Sequence, residues 1–264
     1  MKPESGNRER TEKSIFWGMV KNDIKSKYAT SVFGLIWIFV LPLITIGVFW
    51  IVYQVGFRNA PVSDAPFILW FAAGYIPWLF FSDFLSAGAN CLVEYSYLVK
   101  KIKFNVEILP KVKLAASFVI HLFFVGVLLI MFLIYRIPFS VYAIQCLYYS
   151  VALAIYTFGW VLFLSAVCTF FRDIIQIVNI VLQIGFWITP LIWNLREMQE
   201  SIRNILRWNP ISYIVEGYRD SLIYHKWFWE KPIDTAVFWG ITLIILVLAG
   251  YVFKKIRPFF ADEL

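Results

Sequence analysis

Charge is what this chain most lacks. Only 16% of its 264 residues are Asp, Glu, Lys or Arg, while 61% are hydrophobic and the mean hydropathy is +0.72. A soluble domain of this length carries far more charge. Nucleotide-binding loops are missing as well: none of the 13 glycines is followed by lysine, which excludes a Walker A loop, and there is no GxGxxG. His121 and His225 are the only histidines, so an HExxH metal site cannot be assembled. Cys91, Cys146 and Cys168 form no CxxC, which leaves neither a disulfide framework nor a zinc ribbon. No two glycines lie four apart, so a GxxxG seam between helices is unavailable. The hydrophilic start, MKPESGNRERTEKS, is not followed by a short apolar region with a small-residue cleavage site, and no cleaved signal peptide is expected.

What remains is a succession of apolar runs, several reaching the ~20 residues that cross a bilayer. The pattern predicts an all-α polytopic membrane protein with six transmembrane helices, at about 32–57, 66–92, 111–135, a span ending near Phe170, 172–193 and 233–253. Residues 1–13 read as a polar tail. From Ser14 to Tyr28, Phe16, Val20, Ile24 and Tyr28 recur every fourth residue with Lys21, Lys25 and Lys27 beside the stripe, the pattern of a basic amphipathic helix at the membrane interface. Residues 1–31 thus form a tail and interface helix, 32–255 the transmembrane domain, and 256–264 a short C-terminus. The net charge of +7 does not imply nucleic acid, because the bases sit between the apolar runs instead of along one face. Seven Lys and Arg lie in the N-terminal region, five in the 93–113 loop, one in the FRDI step and three after the last span; the other side holds Arg58, Arg136 and six within 194–232. By the positive-inside rule both termini are cytoplasmic.

One stretch organises the rest: RDIIQIVNIVLQIGFWITPLIW, Arg172 to Trp193. Wound at about 100° per residue, it places Arg172, Gln176, Asn179, Gln183 and Pro190 on one narrow stripe. Amides in hydrocarbon are unfavourable unless something satisfies them, so three aligned over successive turns require a partner. A polar conduit would supply one, and so would a helix–helix contact glued by hydrogen bonds. Aromatic side chains such as Trp37, Trp78 and Trp187 could line such a conduit.

Two connecting segments carry their own pattern. In 194–232, Asn194 and Glu197 read as a helix cap, Leu195, Met198, Ile202 and Ile205 as one apolar edge, and Asn209–Pro210 as a break before a second short helix, SYIVEGYRDSL. This is either a re-entrant helical hairpin dipping into the outer leaflet, followed by an aromatic belt of Trp227, Phe228 and Trp229, or a simple external cap. In the 93–113 loop, Val99, Ile102 and Phe104 alternate with Lys100, Lys101 and Lys103. That fits a short amphipathic helix docked in a groove of a partner, or a loop dipping into the inner leaflet.

Several of these runs resemble a known family in order and spacing. DIKSKYATSVFGLIWIFVLPL (23–43), AGYIPWLFFS (73–82), LVKKIKFNVEILP (98–110), the FRDI step, TPLIW…NP and NPISYIVEGYRDSL (209–222) are similar to permeases of ABC-2 type polysaccharide exporters, over about residues 14–255. The last run looks most like the wall teichoic acid exporter permease, and the O-antigen exporter permeases share the layout. Asn105 departs from the proline usual at its position. The resemblance implies a permease that pairs with a second copy of itself and two ATP-binding cassette subunits in a bacterial plasma membrane, with ATP and Mg held by the partner and no cofactor by this chain. It implies a lipid-linked anionic polymer as cargo, held at its diphosphate by Lys21, Lys25, Lys27 and Arg172 and guided along Arg172, Gln176, Asn179, Gln183 and the aromatics. It also implies coupling to the cassette through Val99, Lys100, Ile102 and Phe104, and an outer gate around Trp193, Asn209, Pro210 and Tyr218. A membrane-embedded lipid-linked sugar transferase would need carboxylates or histidines clustered at one membrane face, whereas Asp83 and His121 stand in different spans.

Overall fold

The helix everything else leans on is the second apolar run. In the computed structural model, which describes residues 4–27, 31–56, 65–100, 105–138 and 140–264, the helices in chain order are α1 (Glu4–Ser26), α2 (Ile36–Trp50, continued by a π turn Ile51–Gly56), α3 (Phe67–Ala89), α4 (Cys91–Glu94), α5 (Ser96–Val99), α6 (Ile108–Ile134), α7 (Gln145–Phe170), α8 (Ile174–Ile188), α9 (Glu200–Leu206), α10 (Pro210–Arg219, continued by a π turn Asp220–Tyr224), α11 (Pro232–Ile256) and α12 (Phe260–Glu263). Over the most apolar stretch of α3, 78% of the residues are buried, against 11% along Ile36–Gly56. Its small residues explain how neighbours come so close. A Cβ on Gly88 would lie 2.6 Å from both methyls of Val161 on α7, and one on Gly74 would lie 3.1 Å from Val215 on α10.

Around α3 stand α6, α7, α10, α2 and α8, with α11 packed on α7 and α1 on α6. Among the described residues, five helices are long and apolar enough to cross a membrane: Ile36–Gly56, Phe67–Ala89, Ile108–Ile134, Val141–Phe170 and Pro232–Phe259. The expected span at 172–193 is the 15-residue helix α8, shorter than a crossing needs. Its end has a local cause. Pro190 disfavours helical dihedrals in the residue before it, and Thr189 is extended at ψ 139°.

The N-terminal helix also departs from expectation, beginning at Glu4 and not near Ser14. From Phe16 onward the expected stripe is the packed face: Val20 is buried against Val112 and Ala116 of α6, with Phe16, Met19 and Ile24 around it. Tyr28 falls outside the described residues.

In 194–232, every residue from Ile211 to Leu222 is buried, and α10 packs between α3, α7 and α11. The expected apolar edge is split. Leu195 is buried, whereas Ile202 and Ile205 on α9 are 41% and 71% exposed. Asn194 does act as a cap, its side chain accepting from the Arg196 N–H and donating to Glu197 Oε1 at 2.9 Å. Trp227 and Trp229 stack at 4.4 Å near the start of α11. A second apolar cluster (Cys91, Leu92, Tyr95, Val99, Val106, Leu109, Ala166, Phe253 and Phe260) closes the end of the bundle where α12 packs.

Candidate functional site

Asp83 is not alone. It is the one carboxylate inside a long apolar helix, α3, and the fold brings two donors to it: the Lys27 ammonium pairs with Oδ1, and Ser117 Oγ on α6 donates to Oδ2 at 3.0 Å. A partly buried charge is tolerable when paired and hydrogen-bonded in this way. On one side of the pair is a cavity of ≈ 190 Å³ bounded by Trp37, Thr45, Tyr75 and His121. On the other is a cavity of ≈ 300 Å³ bounded by Asp23, Glu94 and Lys113. There the buried Lys113 ammonium lies 2.5 Å from Asp23 and 2.8 Å from Glu94. Tyr95 donates to the same Asp23 at 2.9 Å, and burial, with the Asp23 charge beside it, raises the phenol's pKa so that it stays a donor. Three carboxylates and two ammoniums therefore line one polar track from the bundle end to mid-α3.

His121, at the far end of that track, is buried with Nε2 3.1 Å from both Ser150 Oγ and Tyr218 OH, and its Nδ1 has no partner among the described residues. Those two hydroxyls are themselves 2.5 Å apart.

The amides of α8 do share a face, and that face is open. Gln176, Asn179 and Gln183 are exposed, as are Arg172 just before the helix and Trp187 at 60%. Among the described residues only Asn179 of these has a partner from another helix, accepting from Ser86 Oγ on α3 at 3.0 Å. Within this chain the stripe is thus not a seam between helices. Trp78 is placed differently from Trp187: it is 5% exposed, and Gly185 lets α8 settle on its ring, a Cβ there being 3.0 Å from Cη2. Trp37 is half-buried and donates to Ser31 Oγ at 2.9 Å.

Beyond Ile188 the chain runs without helix to Asn194, and Arg219 holds that break. The side chain is fully buried. Its Nη1 donates to Pro190 O at 2.6 Å and Glu216 Oε1 at 2.8 Å, Nη2 to Leu191 O at 2.9 Å, and Nε to Trp70 O at 3.3 Å. Its guanidinium also lies flat over the Trp70 ring, 3.4 Å from the centroid. Only the planar fork of arginine serves that many acceptors at once. The four expected gate residues are close by but play different parts. Trp193 donates to Trp187 O at 3.0 Å; Asn209 caps α10 by accepting from the Ile211 N–H, with Pro210 in its first turn; Tyr218 is fully buried in the His121–Ser150 network.

Of the expected basic set, Lys21, Lys25 and Arg172 are exposed, while Lys27 is paired with Asp83. Of the expected coupling set, Val99 is buried in the chain's own second cluster and Lys100 is exposed; Ile102 and Phe104 lie outside the described residues. Arg219, Lys113 and Asp23 were not singled out from the sequence. The Glu216–Arg219 spacing of three within a short, largely apolar helix is the signal for Arg219; nothing local flags the other two.

A bundle of long apolar helices with no strand among the described residues describes a polytopic helical membrane protein. Comparison places it: residues 15–223 match the ABC-2 type transporter family, and the chain belongs to that family. It is therefore a multi-pass protein of the cell membrane, in a family whose permeases work with an ATP-binding subunit and export polysaccharide. It is 23% identical over 261 residues to an O-antigen export system permease protein of Myxococcus xanthus, covering 96% of each chain. It is 22% identical over 249 residues to an O-antigen export system permease protein of Klebsiella pneumoniae, covering 93% of each.

Proposed function

We propose that this chain is the transmembrane half of an ATP-driven exporter that moves a lipid-linked polysaccharide from the cytoplasm to the cell exterior, working as two copies beside two ATP-binding subunits. The observation that carries the reading is the open amide face of α8. Exposed glutamines on an apolar helix are stable in a membrane only against water or another polar surface, and a second copy across an axis provides both. The relatives favour an O-antigen-type glycan over the wall teichoic acid suggested by NPISYIVEGYRDSL.

In this reading both termini are cytoplasmic, α8 with the segment after it completes a sixth crossing, and the α9–α10 region lies on the outer side. Lys21, Lys25 and Arg172 receive the lipid diphosphate through charge-assisted hydrogen bonds. Gln176, Asn179 and Gln183 exchange hydrogen bonds with sugar hydroxyls as the glycan passes, and Trp187 offers a flat apolar surface to sugar faces. Trp193, Asn209 and Pro210 border the outer opening. Residues 98–110 meet the ATP-binding subunit, with Lys100 exposed there.

The test uses the purified complex with its ATP-binding subunit. Lipid-linked O-antigen should stimulate ATP hydrolysis more than lipid-linked teichoic acid, and Gln183→Leu should leave assembly intact while lowering export several-fold. Normal export in a well-expressed Gln183→Leu complex would remove α8 from the path. Stimulation by teichoic acid alone would return the cargo to the alternative reading.

A further inference from the structure

The segment between α8 and α11 borders a cavity whose lining includes none of the residues assigned above to the transport path. The first residues of α7 meet Lys226 and Phe228, since Gln145 donates to Lys226 O and accepts from the Phe228 N–H, each at 2.8 Å. The other end of α7 meets Phe260 of α12. This cavity and the C-terminus are therefore at opposite ends of one 26-residue helix. It measures ≈ 380 Å³, within the range of sites that hold small organic ligands.

Three carboxylates border it, and each already has its counter-ion. Asp220 takes Arg196 at 3.0 Å and also Lys231; Asp234 takes Arg207 at 2.8 Å; Glu216 takes Arg219 at 2.8 Å. Two cations on the wall are left over. Arg203, half-buried on α9, and Lys226, just after the π turn, have no carboxylate partner among the described residues. A third group is unsatisfied: Ser212 is 2% exposed, borders the cavity, and its hydroxyl has no hydrogen-bond partner among the described residues. Buried hydroxyls without a partner are rare in native structures, and one on a cavity wall is explained by a ligand or water within.

We infer that this cavity binds a phosphate group carried on a hydroxyl-rich unit, with Arg203 and Lys226 as its counter-charges and Ser212 as a neutral donor. Three donors on separate elements suit a tetrahedral oxyanion, whose oxygens point in different directions. The volume leaves room for the glycerol or sugar to which the phosphate is attached. The paired carboxylates can accept from that unit's hydroxyls without adding free negative charge. Such a group is carried both by a phosphate-bearing polymer and by a phospholipid headgroup. That a polymer is its source rests on the exporter reading with a phosphate-bearing glycan as cargo; the anion chemistry does not.

Binding is measured on the full chain in nanodiscs, with poly(glycerol phosphate) as probe and neutral dextran as control, in zwitterionic phosphatidylcholine and again with phosphatidylglycerol added. Poly(glycerol phosphate) should bind and dextran should not. Arg203→Ala and Lys226→Gln should each weaken binding about tenfold, as loss of a charge-assisted hydrogen bond does, and Ser212→Ala less. Arg203→Lys should retain most of it. If phosphatidylglycerol competes with the polymer through the same residues, the phosphate assignment stands and the headgroup is its source. Equal binding of dextran, or unchanged binding in Arg203→Ala and Lys226→Gln proteins that melt at the wild-type temperature, would overturn the assignment. Because export is assayed separately, that result would leave the exporter reading untouched.

Discussion

Replacing Arg219 with methionine keeps most of the side-chain volume and removes four donations at once. Pro190 O, Leu191 O and Trp70 O lose their partner, and Glu216, otherwise within 3.9 Å only of Arg196, is stranded as a nearly buried carboxylate. Breaking a buried pair by deleting one member destabilises by about 3–5 kcal/mol, mostly through the charge left behind. For a chain of this size each kcal/mol lowers the melting temperature by about 2–4 °C, so Arg219→Met should melt roughly 6–20 °C below wild type. Arg219→Lys keeps the charge but not the fork, and should fall between the two. A thiol-reactive fluorogenic dye suits the measurement because Cys91, Cys146 and Cys168 are all buried, and burial also raises the Cys91 thiol's pKa, so the signal appears only on unfolding. The stranded charge has its own signature: adding Glu216→Gln to Arg219→Met should recover about half of the loss. A melting point within 3 °C of wild type, or no recovery from the second substitution, would refute the reasoning.

Gly217→Ala should prevent stable folding, because its Cβ would sit 2.2 Å from the Tyr149 ring; expression and dye-monitored melting of a Gly217→Ala, Tyr149→Leu double variant would show partial rescue if that clash is the cause. Asp83→Ala should destabilise more than the Lys27→Ala, Asp83→Ala pair, since the single change leaves the ammonium uncompensated; melting curves of the full double-mutant cycle check this, and additive losses would count against the pair. With the termini cytoplasmic, a cysteine at the exposed Ser201 should react with an impermeant maleimide added to intact cells while one at the exposed Ser14 should not; the reverse pattern would invert the orientation.

The sequence made the long elements readable because their causes are local. Apolar runs mark α3, α6, α7 and α11 to within a few residues, and Asn209–Pro210 announces the start of α10, where the asparagine caps and the proline takes the first turn. The stripe on α8 was readable from angular spacing, and so was its polarity. Its length was misjudged, although Pro190 carried the information, because apolar residues continue through Trp193 and periodicity alone does not register a missing N–H. The pairs that build the polar track were not readable. Lys27 and Asp83 are 56 positions apart and Asp23 and Lys113 are 90 apart, so only the packing of α1 on α6 and α6 on α3 brings them together. Arg219 was hidden for a related reason: three of its four acceptors are backbone carbonyls, and any sequence offers those everywhere.

The brevity of α8 has a consequence for the barrier itself. Fifteen residues rise about 22 Å, whereas the hydrocarbon layer is about 30 Å thick. If α8 crosses as proposed, the regular helical wall along it stops some 8 Å short of the far surface, by the same two dimensions. Thr189 to Asn194 continue from there without helix, and oil offers nothing to their carbonyls. Arg219 reaches two of those oxygens, so in the proposed crossing a fixed cation joins the thinnest place in the insulating layer. A long polar chain crossing beside α8 would face hydrophobic depth over about three-quarters of the usual distance, and would meet a backbone already provided with its donors for the remainder.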